Sequence, residues 1–212
     1  MKIELIDYTK DGINKIAMMA RATRGVALMR DWSDKQNKDY VKKLIKWKHF
    51  GILEHITFTF HVSEISRVLT HQLVRHRIAS YLQMSSRHTF QDSSRDYVTP
   101  PSIEATKDAK NPKIYNCWRI YNTHMINAHA AARILMRDGN IPMEDARYLM
   151  PDGFYTHISM TMNCRELRHF FELRCDKTAQ WEIRNLAKEL LKICHDKYPV
   201  IFEDLFKKYL EK

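Results

Sequence analysis

Apolar and polar residues follow two periods along this chain, and the switches between them mark its elements. Ile56, Phe58, Phe60 and Val62 alternate with Thr57, Thr59 and His61, as in a strand with one buried and one wetter face. Phe154, Thr156, Ile158, Met160 and Met162 repeat that pattern and predict a second strand; a weaker alternation over 2–8 predicts an edge strand. Helical spacing takes over elsewhere. Residues 13–22 read as a helix leading to a polar loop at Thr23-Arg24-Gly25. Ser33-Asp34-Lys35-Gln36 has capping-box spacing, and Tyr40, Val41, Leu44 and Ile45 then repeat at helical intervals. Trp47 closes that helix and His49-Phe50-Gly51 makes the turn after it. Ser63 reads as the cap of a helix with Ile65, Val68, Leu69 and Leu73 inward, which puts Gln72, Arg75 and His76 on one face at its end.

The second half reads as mostly helical. Asn111-Pro112 opens the longest helix, with proline in the first turn and Gly139 past the end. Its stripe of Ile114, Cys117, Trp118, Tyr121, Met125, Ala128, Ala132 and Leu135 suits a core or subunit-packing face, with His124 and His129 at the surface. A short helix over 142–150, ended by Pro151, carries Ala146-Arg147. Asn163-Cys164-Arg165-Glu166 caps a helix bearing Arg165, His169, Leu173 and Arg174. Asp176 is read as the cap of the next helix, with Ile183, Ala187, Leu190 and Cys194 inward. Pro199 breaks it, and Phe202, Leu205, Phe206 and Tyr209 mark a terminal amphipathic helix. Residues 91–112 change composition and read as a long loop rather than a linker. The expectation is an α+β fold: one domain over 1–212, with a central, mostly antiparallel sheet flanked by helices, one of them long.

Composition narrows the function classes. A hydrophobic content of 44% and a charged content of 28% suit a globular chain that buries a core. No apolar run approaches membrane-spanning length and the start carries no secretory pattern, so no membrane partner is expected. Cys117, Cys164, Cys175 and Cys194 form no CxxC pair and no zinc spacing, which favours reduced thiols in a cytoplasmic protein, core or semi-buried. No HExxH or paired Cys/His set occurs, so no metal is expected. The net charge of +10 points to anionic partners, although lysines such as Lys42, Lys43, Lys46 and Lys48 suit outer helix faces without any partner. A nucleic-acid module would use that charge, but neither a nucleic-acid fold signature nor a stacked aromatic platform is present, so nucleic acid is not expected. With 5 glycines and no GxGxxG or P-loop, a bound dinucleotide would depend on side-chain donors.

Those donors concentrate in Arg75-His76-Arg77-Ile78-Ala79-Ser80-Tyr81-Leu82-Gln83-Met84-Ser85-Ser86-Arg87. Guanidinium forks grip phosphate through paired bonds, and serine hydroxyls add short directional ones. Further arginines, Arg147, Arg165 and Arg174, stand in apolar surroundings; Arg174 follows Phe170-Phe171-Glu172-Leu173 and either pairs with Glu172 or faces an anionic ligand. Glu54-His55, at the entry to the first clear strand, is either a surface pair or part of a site. Cys194-His195 lies in a lysine-rich amphipathic helix where adjacent residues point apart, which does not suit a nucleophile.

The spacing Arg-His-Arg, two residues, Ser, four residues, Ser, one residue, Arg resembles the signature of the flavin-dependent thymidylate synthase family. His49 with Leu53-Glu54-His55-Ile56-Thr57-Phe58, Ala146-Arg147-Tyr148-Leu149-Met150-Pro151, Asn163-Cys164-Arg165, Leu173-Arg174 and Ala179-Gln180-Trp181-Glu182-Ile183 continue the resemblance in order. It implies reductive methylation of dUMP to dTMP, with 5,10-methylenetetrahydrofolate giving the carbon, reduced FAD giving the hydride, NADPH recharging the flavin, and no enzyme nucleophile. For dUMP it implies Gln72, Leu73, Val74, Arg75, Gln83, Met84, Ser85, Ser86, Arg87, Arg147 and Arg174, with Arg174 the catalytic position beside the uracil. For FAD it implies Gly51, Glu54, Arg75, His76, Arg77, Gln83, Asn163, Cys164, Arg165 and His169, with Thr23 flanking. His49 corresponds to the folate and NADPH side. The family's active sites form between subunits of a homotetramer. Three positions depart from the pattern: Leu82-Gln83 where many relatives have Asn-Glu, His88 where a tyrosine is usual, and Gly51 where a hydroxyl residue is common. A relative that binds flavin or nucleotide without turnover is the alternative reading.

Overall fold

The computed structural model describes residues 1–25, 32–90 and 93–211. Strands β1 (Lys2–Tyr8), β2 (Thr57–Ser66), β3 (Ala79–Gln83) and β4 (Tyr155–Asn163) form one antiparallel sheet in the order β1-β2-β4-β3. The helices are α1 (Gly12–Ala22), α2 (Asp34–Lys46), α3 (Arg67–Leu73), α4 (Pro101–Glu104), α5 (Pro112–Arg137), α6 (Met143–Ala146), α7 (Cys164–Arg174), α8 (Trp181–Lys197) and α9 (Pro199–Tyr209). Contacts group the chain into two compact units, one of residues 1–2, 62–72 and 82–158, the other of 3–61, 73–81 and 159–212.

The second unit holds an aromatic core. Phe58 and Phe60 on β2, Phe170 and Phe171 on α7, and Phe202 on α9 are all fully buried. Phe58 meets Phe202 edge-on at 6.4 Å between ring centroids, and Phe171 meets Phe202 at 5.8 Å, geometries the ring quadrupoles favour. Ile183, Ala187, Leu190 and Cys194 bury the inner face of α8, as their spacing predicts. Burying a phenylalanine this completely stabilises by about 1.5–3 kcal/mol. Arg168 ties α7 to α9: its guanidinium is buried and donates to both carboxylate oxygens of Asp204, at 2.7 and 2.5 Å, and to the Ile201 carbonyl. Gly12 starts α1 so close to its neighbours that a Cβ would come within 2.7 Å of the Tyr198 hydroxyl and 2.8 Å of Ile56 Cδ1.

In the first unit, the end of β2 departs from simple alternation. Buried positions run Phe58, Phe60, Val62 and then Ile65, because Glu64 takes a left-handed backbone (φ 56°) and shifts the register by one. The Glu64 carboxylate there pairs with Lys2 and with the N-terminus. α5 starts on an Asn111 cap whose side chain accepts from the Lys113 amide.

Several expectations need correction. β2 runs on through Ser66, so Ser63 and Ile65 belong to the strand and Ser63 caps nothing; Ser66 Oγ accepts from the Leu69 amide instead. α3 consequently ends at Leu73, and Arg75 and His76 lie beyond it rather than on its last face. Residues 50–55 form a 3-10 helix where a turn was expected. β3 lies inside the Arg/Ser motif, where no strand was anticipated; its short mixed sequence has no apolar alternation to read. Gln180, not Asp176, caps α8, accepting from the Glu182 and Ile183 amides, while Asp176 closes a turn onto Thr178. His129 is buried between Phe90 and Phe154 rather than at the surface. Cys117 is exposed on α5, unlike the other three cysteines. Pro199 does end α8, and it also supplies the first turn of α9.

Candidate functional site

Each unit gathers its own share of the polar residues singled out above. In the second unit a cleft of about 450 Å³ is lined by Phe50, Glu54, Ile78, Asn163, Arg165 and His169, with Glu166, Arg168 and Glu172 completing the wall. Local rules set most of these positions. Asn163 ends β4 and accepts from the Glu166 amide, which fixes the start of α7. Arg165 and His169 are four residues apart on α7 and share a face. Arg165 Nη1 donates to Glu54 Oε1 at 2.5 Å, which answers the question left open for Glu54: it faces the cleft, joined to Arg165. At Gly51 a Cβ would meet nothing within 4 Å, so packing does not demand glycine there. Cys164 is fully buried beneath α7, with burial pushing its thiol well up, so its side chain belongs to the core. His49, next to Phe50, has its ring 6.2 Å from Trp47.

Beside the cleft lies a three-residue chain of hydrogen bonds. Arg174 Nε donates to His76 Nε2 at 3.1 Å, so that nitrogen carries a lone pair. The proton of the neutral ring then sits on Nδ1, which donates to Glu166 Oε1 at 3.1 Å. His76 and Glu166 are both buried, and burial first, then the Arg174 charge, hold the His76 imidazole below its ordinary range against the opposing pull of Glu166. The Tyr81 hydroxyl fastens this turn by donating to the Leu73 and His76 carbonyls, each at 2.9 Å, and burial pushes its phenol strongly up. Arg174 therefore does not take Glu172 as its Nε partner: that partner is His76. Arg75 and Arg77 are exposed and, among the described residues, form no ion pair. Val74 is exposed and Leu73 is core.

His76, Glu166 and His169 are also the cluster, among the described residues, whose metal-ligating atoms lie within 4.8 Å of one another. They do not suit a cation. Both ring nitrogens of His76 are engaged, and the guanidinium of Arg174 stands against one of them.

The first unit carries the serine end of the motif. Arg147 Nη1 donates to Ser86 Oγ at 3.2 Å while its Nε donates to the Glu144 carbonyl. Arg87 pairs with the Glu144 carboxylate at 2.7 Å, with both partners about half exposed. Arg67 Nη2 donates to the Met84 carbonyl and, with His71, Ser86, Thr89, Phe90, Arg147 and others, lines a cavity of about 320 Å³. Burial and the neighbouring Arg147 charge lower the Arg67 pKa, against the opposing pull of Asp152, which also lines this cavity. Gln83 is turned inward, donating to Thr70 and Thr156, whereas Leu82 is 79% exposed. Gln72 donates to the Val68 carbonyl of its own helix, and Ser85 Oγ caps the following turn by accepting from Arg87. Sequence reading missed Arg67 and Glu166. Nothing in their spacing marks them; both stand out only once burial and partners are known.

This is an α+β chain with guanidinium groups lining a cleft in each unit, a class of site whose side-chain donors suit phosphorylated ligands. Comparison narrows this class. The family model described as thymidylate synthase complementing protein matches residues 4–200. Flavin-dependent thymidylate synthases from Geobacter sulfurreducens (41% identical, covering 96% of this chain and 86% of that protein) and Sulfurisphaera tokodaii (37% identical, 95% and 76%) are similar along nearly the whole chain. The crystal structure of the flavin-dependent thymidylate synthase ThyX from Helicobacter pylori, complexed with FAD and dUMP, is 28% identical with a TM-score of 0.72, covering 97% of this chain and 99% of that one. The chain belongs to the flavin-dependent thymidylate synthase family. Among the described residues no helix is long and apolar enough to cross a membrane.

Proposed function

We propose that this chain, acting as a single domain over 1–212, methylates dUMP to dTMP. 5,10-Methylenetetrahydrofolate is the carbon donor, and FAD, recharged by NADPH, supplies the hydride when bound. The observation that carries this reading is Arg174, seated beside the cleft of Asn163, Arg165 and His169 with its Nε anchored on a neutral histidine. An arginine in that position never yields its proton, so it presents a fixed positive field to an ionising pyrimidine rather than acting as a base. The donor set fits a flavin dinucleotide: Arg165 and His169 face the cleft, and the exposed Arg75 and Arg77 have no competing carboxylate among the described residues. His76 adds its ring edge and backbone, because both its ring nitrogens are already committed.

Arg147, Ser86 and Arg87 supply donors for the nucleotide phosphate, with Arg67 adding a second guanidinium near Arg147. Gln72, Arg75, Gln83, Met84 and Ser85 complete the dUMP side and His49 the folate and NADPH side, as family resemblance assigns them. None of the three buried thiols is used: burial pushes Cys164, Cys175 and Cys194 up, and binding, orientation and charge placement are the protein's contribution. The family's homotetramer, with active sites between subunits, suits the apolar residues that α5 leaves exposed, Ile114, Tyr115, Ile120, Ile134 and Leu135. Cytoplasmic location goes with a chemistry built on reduced cofactors.

The test is spectroscopic. Purified protein with added FAD is expected to show bound-flavin absorbance, and anaerobically reduced holoprotein is expected to form dTMP only when dUMP and methylenetetrahydrofolate are both present. Protein that takes up no FAD, or that forms dTMP at equal rates after Arg174→Ala, refutes the assignment.

A further inference from the structure

We propose that Glu166 and His76 are positioning residues for Arg174: a buried carboxylate fixes one tautomer of a buried histidine, and that tautomer holds the guanidinium where the nucleotide needs it. The inference rests on the functional reading above for what Arg174 contacts, but the relay itself is geometric. Glu166 sits in the first turn of α7 and Arg174 in its last, too far apart on the helix to meet directly, and His76 bridges them from the segment after α3. The bridge is directional. Arg174 Nε can only donate, so His76 Nε2 must accept, and Nδ1–H must point to Glu166. An imidazole with the opposite tautomer, or an imidazolium, would set an N–H against the Arg174 N–H and drive the guanidinium off.

The arrangement makes nucleotide binding sensitive to acid. The groups facing the His76 ring are Glu166, Arg174 and His169, all from α7; from β3, Tyr81 donates its hydroxyl to the His76 carbonyl and stays neutral over the physiological range. His169 lies 6.0 Å away between ring centroids and, like Arg174, disfavours a charged His76 ring. Glu166 alone favours the charged ring. Once His76 takes a proton on Nε2, the Arg174 anchor is lost and Arg174 is no longer held at its station.

The experiment uses the FAD-loaded protein, titrated with dUMP from about pH 4.5 to pH 8.5, through the ordinary histidine range and below it to where the lowered His76 changes charge, and read by the change in flavin absorbance. The wild type is expected to lose affinity on the acid side by about tenfold or more. Glu166→Ala is expected to weaken dUMP binding about tenfold near neutral pH, measured on protein that has folded and taken up FAD, with a lower melting temperature from the unpaired His76. His76→Gln places an amide oxygen where Nε2 stood; it keeps an acceptor for Arg174 that does not titrate, so the acid loss should largely disappear. Ring-nitrogen NMR reads the relay without any nucleotide: the His76 signals, identified by their loss in His76→Gln, should report a neutral Nδ1–H ring at pH 7, and Glu166→Ala should shift them toward the other tautomer.

An Nε2–H or charged His76 ring near neutral pH overturns the relay, as does a Glu166→Ala or His76→Gln protein whose affinity follows the wild type at every pH. Should Glu166→Ala fail to fold, the His76→Gln profile and the wild-type NMR decide. Failure of the functional reading looks different: wild-type holoprotein would bind no dUMP at any pH, whatever tautomer the NMR reports.

Discussion

Two amphipathic helices of this protein, α7 and α5, have been finished in opposite ways. α7 has 11 residues and buries Cys164, Glu166, Leu167, Arg168, Phe170 and Phe171 within its own unit. α5 has 26 residues and buries only Met125, His129 and Ala132. Of the rest of its stripe, Trp118, Tyr121 and Ala128 are half-buried, while Ile114, Cys117 and Leu135 remain exposed, along with Ile120 and Ile134. The same periodicity therefore leads to a packed support for chemistry in one case and to an unpartnered apolar face in the other. Periodicity states that a face is apolar; it does not state which surface will cover it.

The sharpest way to break this contrast is a cavity. Phe171→Ala should lower unfolding free energy by about 3–5 kcal/mol in urea titration, whereas Ile120→Ser on α5 should change the stability of a dissociated subunit by less than about 0.5 kcal/mol. Ile120→Ser should instead shift the mass seen by analytical ultracentrifugation toward smaller species. Equal destabilisation by both changes would erase the distinction. Next in size is Arg174→Ala, which should cut dTMP formation by about 10²-fold, near 2.7 kcal/mol, while flavin colour and melting temperature persist. A melting temperature that falls along with activity would mean that α7 is scaffold alone.

Arg147→Ala, in the other unit, should raise KM for dUMP about tenfold, near 1.4 kcal/mol, with kcat little altered, if the phosphate contact proposed for Arg147 is held equally in ground and transition states. The smallest effects sharpen the picture of burial. Cys117 should react at once with a thiol reagent, while Cys164, Cys175 and Cys194 should label only on unfolding. Acid should also weaken the folded state through His76. Its folded pKa lies below the unfolded one, so the unfolded chain binds the extra proton first, and stability is lost as pH falls from the ordinary histidine range down through the lowered folded value. His76→Gln should flatten that part of the stability-versus-pH curve.

Much of the site was legible in the chain itself. The Arg-His-Arg and serine spacing, the Asn163 cap and the shared face of Arg165 and His169 depend on short-range geometry, which sequence spacing encodes directly. The Phe58–Val62 and Thr156–Met162 alternations likewise gave the two strands their buried faces. What could not be read was which polar partner each arginine takes. Glu172, two residues from Arg174, was the obvious candidate, yet Arg174 Nε found His76, 98 positions away. The end of β2 was misjudged for a related reason: a single left-handed residue, Glu64, extended the strand through a pattern that resembled a helix start.

By itself, then, the sequence determined the strands around Phe58–Val62 and Thr156–Met162, the longer helices and which of their faces are apolar, because each of these follows from periodicity and neighbours a few residues apart. Only the tertiary structure decided that Glu166, His76 and Arg174 form one hydrogen-bonded chain, that His129 lies between Phe90 and Phe154, and that α5 keeps much of its apolar stripe in the open. Those outcomes depend on which distant groups exclude water from one another, and a buried donor or acceptor must then take whatever partner the fold brings within reach.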